Sequence, residues 1–180
     1  MQATALSAKQ RESDSGGNPG AGFAIPDLDN PFWRFSLAAY AAPGVADSCL
    51  RLQDGFGIDV NLLLFVAWIA ADRRAQMTAD ELDKIEASAA VWHNSLVKPV
   101  RMARRELKAS GGPVYAGIKA AELKLEQIEQ ALLHVQSVAL DLAPRDTGDV
   151  IAAALAAYLK RHRAPENAAD PLIAAIRALA

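Results

Sequence analysis

Apolar residues recur at steps of three or four along most of this chain, and this spacing decides its fold class. Two long stretches show it clearly, one from Leu82 to Leu107 and the other from Ile118 to Leu142. Apolar residues with this spacing lie on one face of a helix. No segment shows the two-residue alternation that is typical of a strand. The sequence therefore predicts an all-α fold.

Helix-capping and helix-breaking residues divide the chain into a single-domain bundle of about six to seven helices. The segment Val60–Arg73 is apolar on nearly every side, which predicts that it is the buried centre of the bundle. Pro99 interrupts the stretch that begins after Thr78, so a kink or break is expected near Val97. The remaining helices are predicted at residues 31–40, 45–54, 114–142, from a cap at Asp146 or Thr147 to 161, and after Asp170.

The chain is predicted to have three parts. Residues 1–22 are rich in Ser, Gly, Gln and Ala and carry few large apolar side chains, which predicts a disordered N-terminal tail. Residues 23–163 form the helical domain, and residues 164–180 form a linker with a short C-terminal helix.

Composition excludes several classes of protein. The net charge of −2 argues against nucleic-acid binding, and Cys49 is the single cysteine, so no intramolecular disulfide can form. The longest apolar run, residues 62–71, is about half of the roughly 20 residues that a membrane span needs. A soluble cytoplasmic protein without a membrane segment is expected.

No pattern of catalytic or metal-binding residues stands out. His93, His134 and His162 have no second ligand at the spacing that builds a metal site on one helix, so a structural role is predicted for each. The sequence contains no phosphate-binding glycine loop, and Cys49 falls on the apolar side of a helix. The sequence thus predicts no catalytic residue, no metal and no cofactor, and favours a protein that is not an enzyme.

A row of basic residues is the first candidate binding surface. We call it the basic ridge, and it consists of Lys98, Arg101, Arg104, Arg105 and Lys108. All of its members except Arg104, which is adjacent, are predicted to share one exposed helical face, above inward-facing Leu96 and Val100. Such a row binds phosphates or carboxylates, although rows of charge are more often solvated faces. The ridge suggests a non-enzymatic interaction or regulatory module whose protein partner is acidic.

A pocket among the first three helices is the alternative candidate, and it would make the protein a small-molecule-binding protein or an enzyme. Asn61 opens the very apolar third helix, so its side chain is expected to be buried and to bond within the turn between Gln53 and Asp59. The residues predicted around this pocket are Trp33, Arg34, Gln53, Asp59, Asn61 and Trp68.

Several short segments resemble a bacterial family known only as a domain of unknown function. They are NPFWRFSL at residues 30–37, LQD at 52–54, DVNLLLF at 59–65 and, after Trp92, RRELK at 104–108. The resemblance covers about residues 30–142. It implies a small helical cytoplasmic protein and carries no implication of an activity or cofactor.

Overall fold

The computed structural model describes residues 26–145 and 148–179, and these residues form helices and turns without a strand. The predicted all-α fold is confirmed. The predicted tail and the predicted caps Asp146 and Thr147 lie outside the described residues. The helices are α1 (Pro31–Tyr40), α2 (Val45–Phe56), α3 (Val60–Arg73), α4 (Ala79–Trp92), a π-helical turn (His93–Val97), α5 (Lys98–Glu106), α6 (Gly112–Ser137), α7 (Val150–Arg161) and α8 (Asp170–Leu179).

Helix α3 is the centre of the bundle, as the sequence predicts. Every residue from 61 to 70 is buried, and α3 contacts α1, α2, α6, α7 and α8. The ring of Phe32 from α1 stacks on Trp68 at 5.3 Å and meets the edge of Phe65 at 5.4 Å. These aromatic contacts fasten α1 to the central helix.

Helices α4 and α5 continue into each other through the π-turn, so together they form one long helix. The N–H of Lys98 bonds to the carbonyl of His93, five residues earlier. This wider turn accommodates Pro99, whose ring would clash with a carbonyl of a regular helix. Because the π-turn adds a residue, Val97 is buried, while Leu96 is 37% exposed. The prediction that Leu96 faces inward is therefore wrong.

The buried face of α6 is partly polar, which the apolar spacing does not predict. Glu122, Glu129 and Gln130 are buried, whereas Val135 from the predicted apolar face is exposed. The helix also ends at Ser137, earlier than predicted. These inward-facing polar groups require partners on the neighbouring helices, because burying an unpaired polar group is costly.

The C-terminal helices complete the same core. Asp149 caps α7 by accepting a hydrogen bond from the N–H of Ala152 at 3.0 Å. Helix α8 packs against α1, α2 and α3, and buries Leu172 and Ile176. None of the described helices combines the length and apolar character that a membrane span requires.

Candidate functional site

A buried cluster of Asp59, His93 and Glu129 lies where α3, the π-turn and α6 meet. Asp59 is the N-cap of α3, and its Oδ1 accepts a hydrogen bond from the N–H of Asn61 at 2.9 Å. Gly57 ends α2 with a φ of 66° and turns the chain toward this cap. His93 begins the π-turn, and Glu129 lies on the inward face of α6.

The imidazole of His93 lies between two carboxylates. Its Nδ1 is 2.9 Å from Oδ2 of Asp59 and 3.2 Å from Oε1 of Glu129. The three side chains are shielded from solvent, with exposed fractions of 14% for His93, 11% for Asp59 and 1% for Glu129. One ring N–H points in one direction, so it cannot form a straight hydrogen bond to both oxygens at once.

The electrostatics of the cluster follow from this burial. Burial alone would lower the pKa of His93, but the hydrogen bonds and charges of Asp59 and Glu129 outweigh it and raise that pKa to about 9. Burial raises the pKa of Glu129, and the charge of Asp59 acts in the same direction, while His93 opposes both. Two carboxylates therefore share a single positive partner.

Two amide side chains support the cluster. The Nδ2 of Asn61 donates to Oε2 of Glu129 at 2.5 Å, and the Nε2 of Gln130 donates to Oδ1 of Asn61 at 2.8 Å. Asn61 is buried as predicted, but its side chain bonds to α6 and not to the turn before α3, so that part of the prediction is wrong. The Oε1 of Gln130 and the hydroxyl of Tyr158 are buried without a hydrogen-bond partner among the described residues.

A second charged network links α5 to α6. The guanidinium of Arg101 donates from Nε to Oε1 of Glu122 at 3.0 Å and from Nη2 to Oε1 of Glu126 at 2.5 Å. Arg104 also bonds to Glu122. Because Arg101 and Glu122 are both buried, this network is part of the packing between the two helices.

The basic ridge does not form one exposed face. Arg101 is only 8% exposed because the carboxylates of α6 draw its side chain inward, so the prediction of a shared exposed face is wrong for this residue. Lys98, Arg105 and Lys108 are exposed, and Arg104 is half-buried. The role of the ridge in binding stays a prediction.

A cleft of about 270 Å³ opens beside the cluster, between α2, the π-turn and α5. We call it the α2–α5 cleft. His93 contributes to both the cleft and the buried cluster. The other lining residues include Gln53, Asp54, Asn94, Lys98, Arg101 and Arg105. Arg105 donates from Nη2 to Oδ1 of Asp54 at 2.5 Å, which ties α5 to the end of α2.

The alternative pocket that the sequence predicts is dispersed over the fold. Arg34 is exposed and pairs with Asp29 at 2.9 Å, while Trp33 is half-buried on α1. Trp68 belongs to the aromatic core. Of the six predicted residues, Gln53 lines the α2–α5 cleft, Asp59 belongs to the buried cluster, and Asn61 supports that cluster through its hydrogen bond to Glu129.

Three residues of the site are not singled out as site residues by the sequence, namely His93, Glu129 and Gln130. A search for metal ligands within one helix misses them because the cluster draws its members from three elements. One signal is visible in the sequence: Glu122, Glu126 and Glu129 recur at steps of four and three on α6. A row of acids at helical spacing opposite a basic row indicates two helices that pair through charge.

Comparison with known proteins places the chain in a family. Residues 31–133, more than half of the chain, match the family model described as "Protein of unknown function (DUF2390)". The chain belongs to this family. The matched span includes the whole cluster of Asp59, His93 and Glu129, and it confirms the resemblance to a domain of unknown function. No curated protein and no solved structure matches the chain.

Proposed function

We propose that this member of the family binds a small anionic molecule in the α2–α5 cleft. The observation that carries the proposal is the charge of the lining, where Lys98, Arg101 and Arg105 face a single carboxylate, Asp54. Rows of Lys and Arg bind phosphates and carboxylates. The location differs from the predicted pocket, since it involves α2 and α5 and does not involve α1.

The cationic side chains of the cleft retain N–H groups that can donate hydrogen bonds to a ligand. An arginine has five N–H donors, and Arg101 uses Nε and one terminal nitrogen on Glu122 and Glu126. Arg105 is tied to Asp54 through Nη2 alone. Lys98 is exposed and has no ion pair among the described residues. Because Arg101 is buried and paired, its position is fixed before binding, which reduces the ordering cost.

The size of the cleft restricts the ligand. At about 270 Å³ it is slightly smaller than the roughly 300–1,000 Å³ of drug-sized sites. A phosphate group with a short organic part fits this volume. Such a ligand would place its negative charge against Lys98 and Arg105 at the rim.

Calorimetric titration of the full chain tests the proposal. Inorganic phosphate and glycerol 3-phosphate should bind saturably, while uncharged glycerol should not, and added salt should weaken binding. The double variant Lys98→Ala, Arg105→Ala should lose at least about tenfold in affinity, which corresponds to roughly 1.4 kcal/mol. The matched control is Arg51→Ala, Lys119→Ala, which removes two exposed cations outside the cleft. Equal affinity of the two double variants, or no saturation at millimolar phosphate, would contradict the proposal.

An interaction or regulatory module is the second candidate. It rests on Lys98 and Lys108, which are exposed and unpaired among the described residues, Lys98 at the start of α5 and Lys108 just after its end. The partner we propose is an acidic protein of the cytoplasm, where this chain would also reside. A polyglutamate peptide is the probe: it should bind at low salt and lose affinity in Lys98→Ala, Lys108→Ala. Competition by phosphate at millimolar concentration would instead favour the small-molecule function.

A further inference from the structure

We propose that Asp59, His93 and Glu129 bind a divalent transition-metal ion. The ligand atoms would be Oδ2 of Asp59, Nδ1 of His93 and Oε1 of Glu129. This site is separate from the anion-binding residues of the α2–α5 cleft, so it stands without the function proposed above.

The spacing of the ligand atoms fits one ion. Metal–ligand distances of about 2.1 Å place neighbouring ligand atoms roughly 3.0–3.4 Å apart in octahedral or tetrahedral geometry. The Nδ1 of His93 is 2.9 Å from the Asp59 oxygen and 3.2 Å from the Glu129 oxygen. Ligand atoms of all three residues lie within 4.8 Å of one another. Small side-chain shifts would bring each of them to a common ion.

A cation also accounts for the charge and hydrogen-bond balance of the cluster. A metal-bound imidazole is neutral, so the ion would replace the ring proton between the carboxylates, and its charge of +2 would balance the −2 of Asp59 and Glu129; buried charge is costly unless it is paired. The cluster also has more acceptors than donors. Its four carboxylate oxygens face three N–H donors, namely the backbone N–H and side-chain amide of Asn61 and the Nδ1–H of His93. One ring N–H cannot satisfy this surplus, whereas an ion binds several acceptors together.

The surroundings resemble the support that metal ligands receive in proteins. Ligating carboxylates are commonly fixed by further hydrogen bonds. Here the other oxygen of Asp59 accepts from a backbone N–H, and the other oxygen of Glu129 accepts from Asn61, which Gln130 holds in turn. His93 is the member of the cluster that also lines the α2–α5 cleft, so the cleft is the side from which an ion would enter.

The donor set selects the class of metal. One imidazole nitrogen with two carboxylate oxygens suits Mn²⁺, Fe²⁺ or Zn²⁺, since Mg²⁺ and Ca²⁺ prefer oxygen ligands throughout. Three protein ligands leave further coordination positions for water or a small anion.

The test uses the full chain after treatment with a chelator and exchange into phosphate-free buffer. Titration with Mn²⁺, followed by electron paramagnetic resonance, should show one ion per chain, with hyperfine coupling to one imidazole nitrogen. His93→Ala and Glu129→Gln should each weaken binding by at least about 100-fold. Circular dichroism verifies folding, and Asp59→Asn, which keeps the side-chain size, serves if His93→Ala does not fold.

The chain supplies its own matched control. The Nε2 of His162 lies 3.4 Å from Oε1 of Glu86, so these residues form a second, more exposed pair of histidine and carboxylate. His162→Ala should leave Mn²⁺ affinity unchanged. Failure of the unmodified chain to bind one ion with a dissociation constant below about 100 µM, which corresponds to a binding free energy of roughly 5.5 kcal/mol, would overturn the proposal. Loss of binding in His162→Ala in place of His93→Ala would do the same. Neither result bears on phosphate binding by Lys98 and Arg105.

Discussion

Arg101 donates a hydrogen bond from Nε to Oε1 of Glu122 at 3.0 Å, and both residues are buried between α5 and α6. Removing one member of such a pair leaves the other charge buried without compensation. Arg101→Ala should therefore lower the free energy of unfolding by about 3–5 kcal/mol. Urea denaturation followed by circular dichroism measures this difference.

Lys98 provides the matched comparison for Arg101. It lies on the same helix, but its side chain is exposed and has no ion pair among the described residues. Lys98→Ala should change the free energy of unfolding by less than about 1 kcal/mol. Equal effects of the two substitutions would show that the pair of Arg101 and Glu122 does not contribute to packing.

Asn61→Leu should destabilise the protein by about 1–3 kcal/mol, because Glu129 and Gln130 each lose a buried hydrogen-bond partner. A leucine suits a helix that is apolar on nearly every side, so the expected loss of stability comes from the broken hydrogen bonds and not from the new side chain. Thermal and urea denaturation measure it. Ser36→Ala is the control, since the buried Ser36 hydroxyl has no partner among the described residues and its removal should be neutral or stabilising. A neutral Asn61→Leu would be evidence against the amide network.

The helices could be predicted because their signals are local. Val60–Arg73 matches its predicted bounds, since Asp59 caps it and its apolar residues continue to the last turn. The inward face of α6 could not be predicted from apolar spacing, because Glu122 and Glu129 are buried by partners on other helices. The π-turn could not be predicted either, because it depends on how the long helix accommodates Pro99 in three dimensions.

The site could be predicted only in part. Asp59 and Asn61 stand out from the sequence, because polar residues at the start of an apolar helix require an explanation. Their partners His93 and Glu129 come from distant positions, and the hydrogen bond between those two spans 36 residues. Only the packing of three elements brings them together, and one sequence without covariation carries no record of it.

Cys49 should resist alkylation in the folded protein. Its side chain is fully buried, and burial raises the pKa of its thiol to about 12, so almost no reactive thiolate exists at pH 8. Iodoacetamide should modify the native protein much more slowly than the protein in urea, and mass spectrometry follows the reaction. Stoichiometric alkylation of the native chain within minutes would show that α2 opens readily.

The metal-free protein should lose stability as the pH rises from about 6.5 to about 9. The pKa of His93 is raised to about 9 in the folded state from its ordinary value of 6.5. The folded state therefore binds a proton that the unfolded state has released, so the stabilisation is complete below pH 6.5 and disappears as pH rises through 9. The pKa of Glu129 is also raised, from 4.5 to about 7, so its contribution to stability is likewise lost as pH rises, but over that lower range. Urea denaturation in the presence of a chelator, at intervals across this range, measures the slope.

Substitution of His93 isolates its part of that slope. His93→Gln keeps a polar side chain at the start of the π-turn but cannot bind the proton, so its unfolding free energy should vary less with pH above 6.5. His162→Gln, which alters the more exposed pair with Glu86, should retain the slope of the unmodified protein. If His93→Gln and the unmodified protein showed the same pH dependence, the imidazolium between Asp59 and Glu129 would not stabilise the fold. Addition of Mn²⁺ should reduce the loss of stability at high pH in the unmodified protein, because the ion binds the neutral imidazole that the folded state then contains.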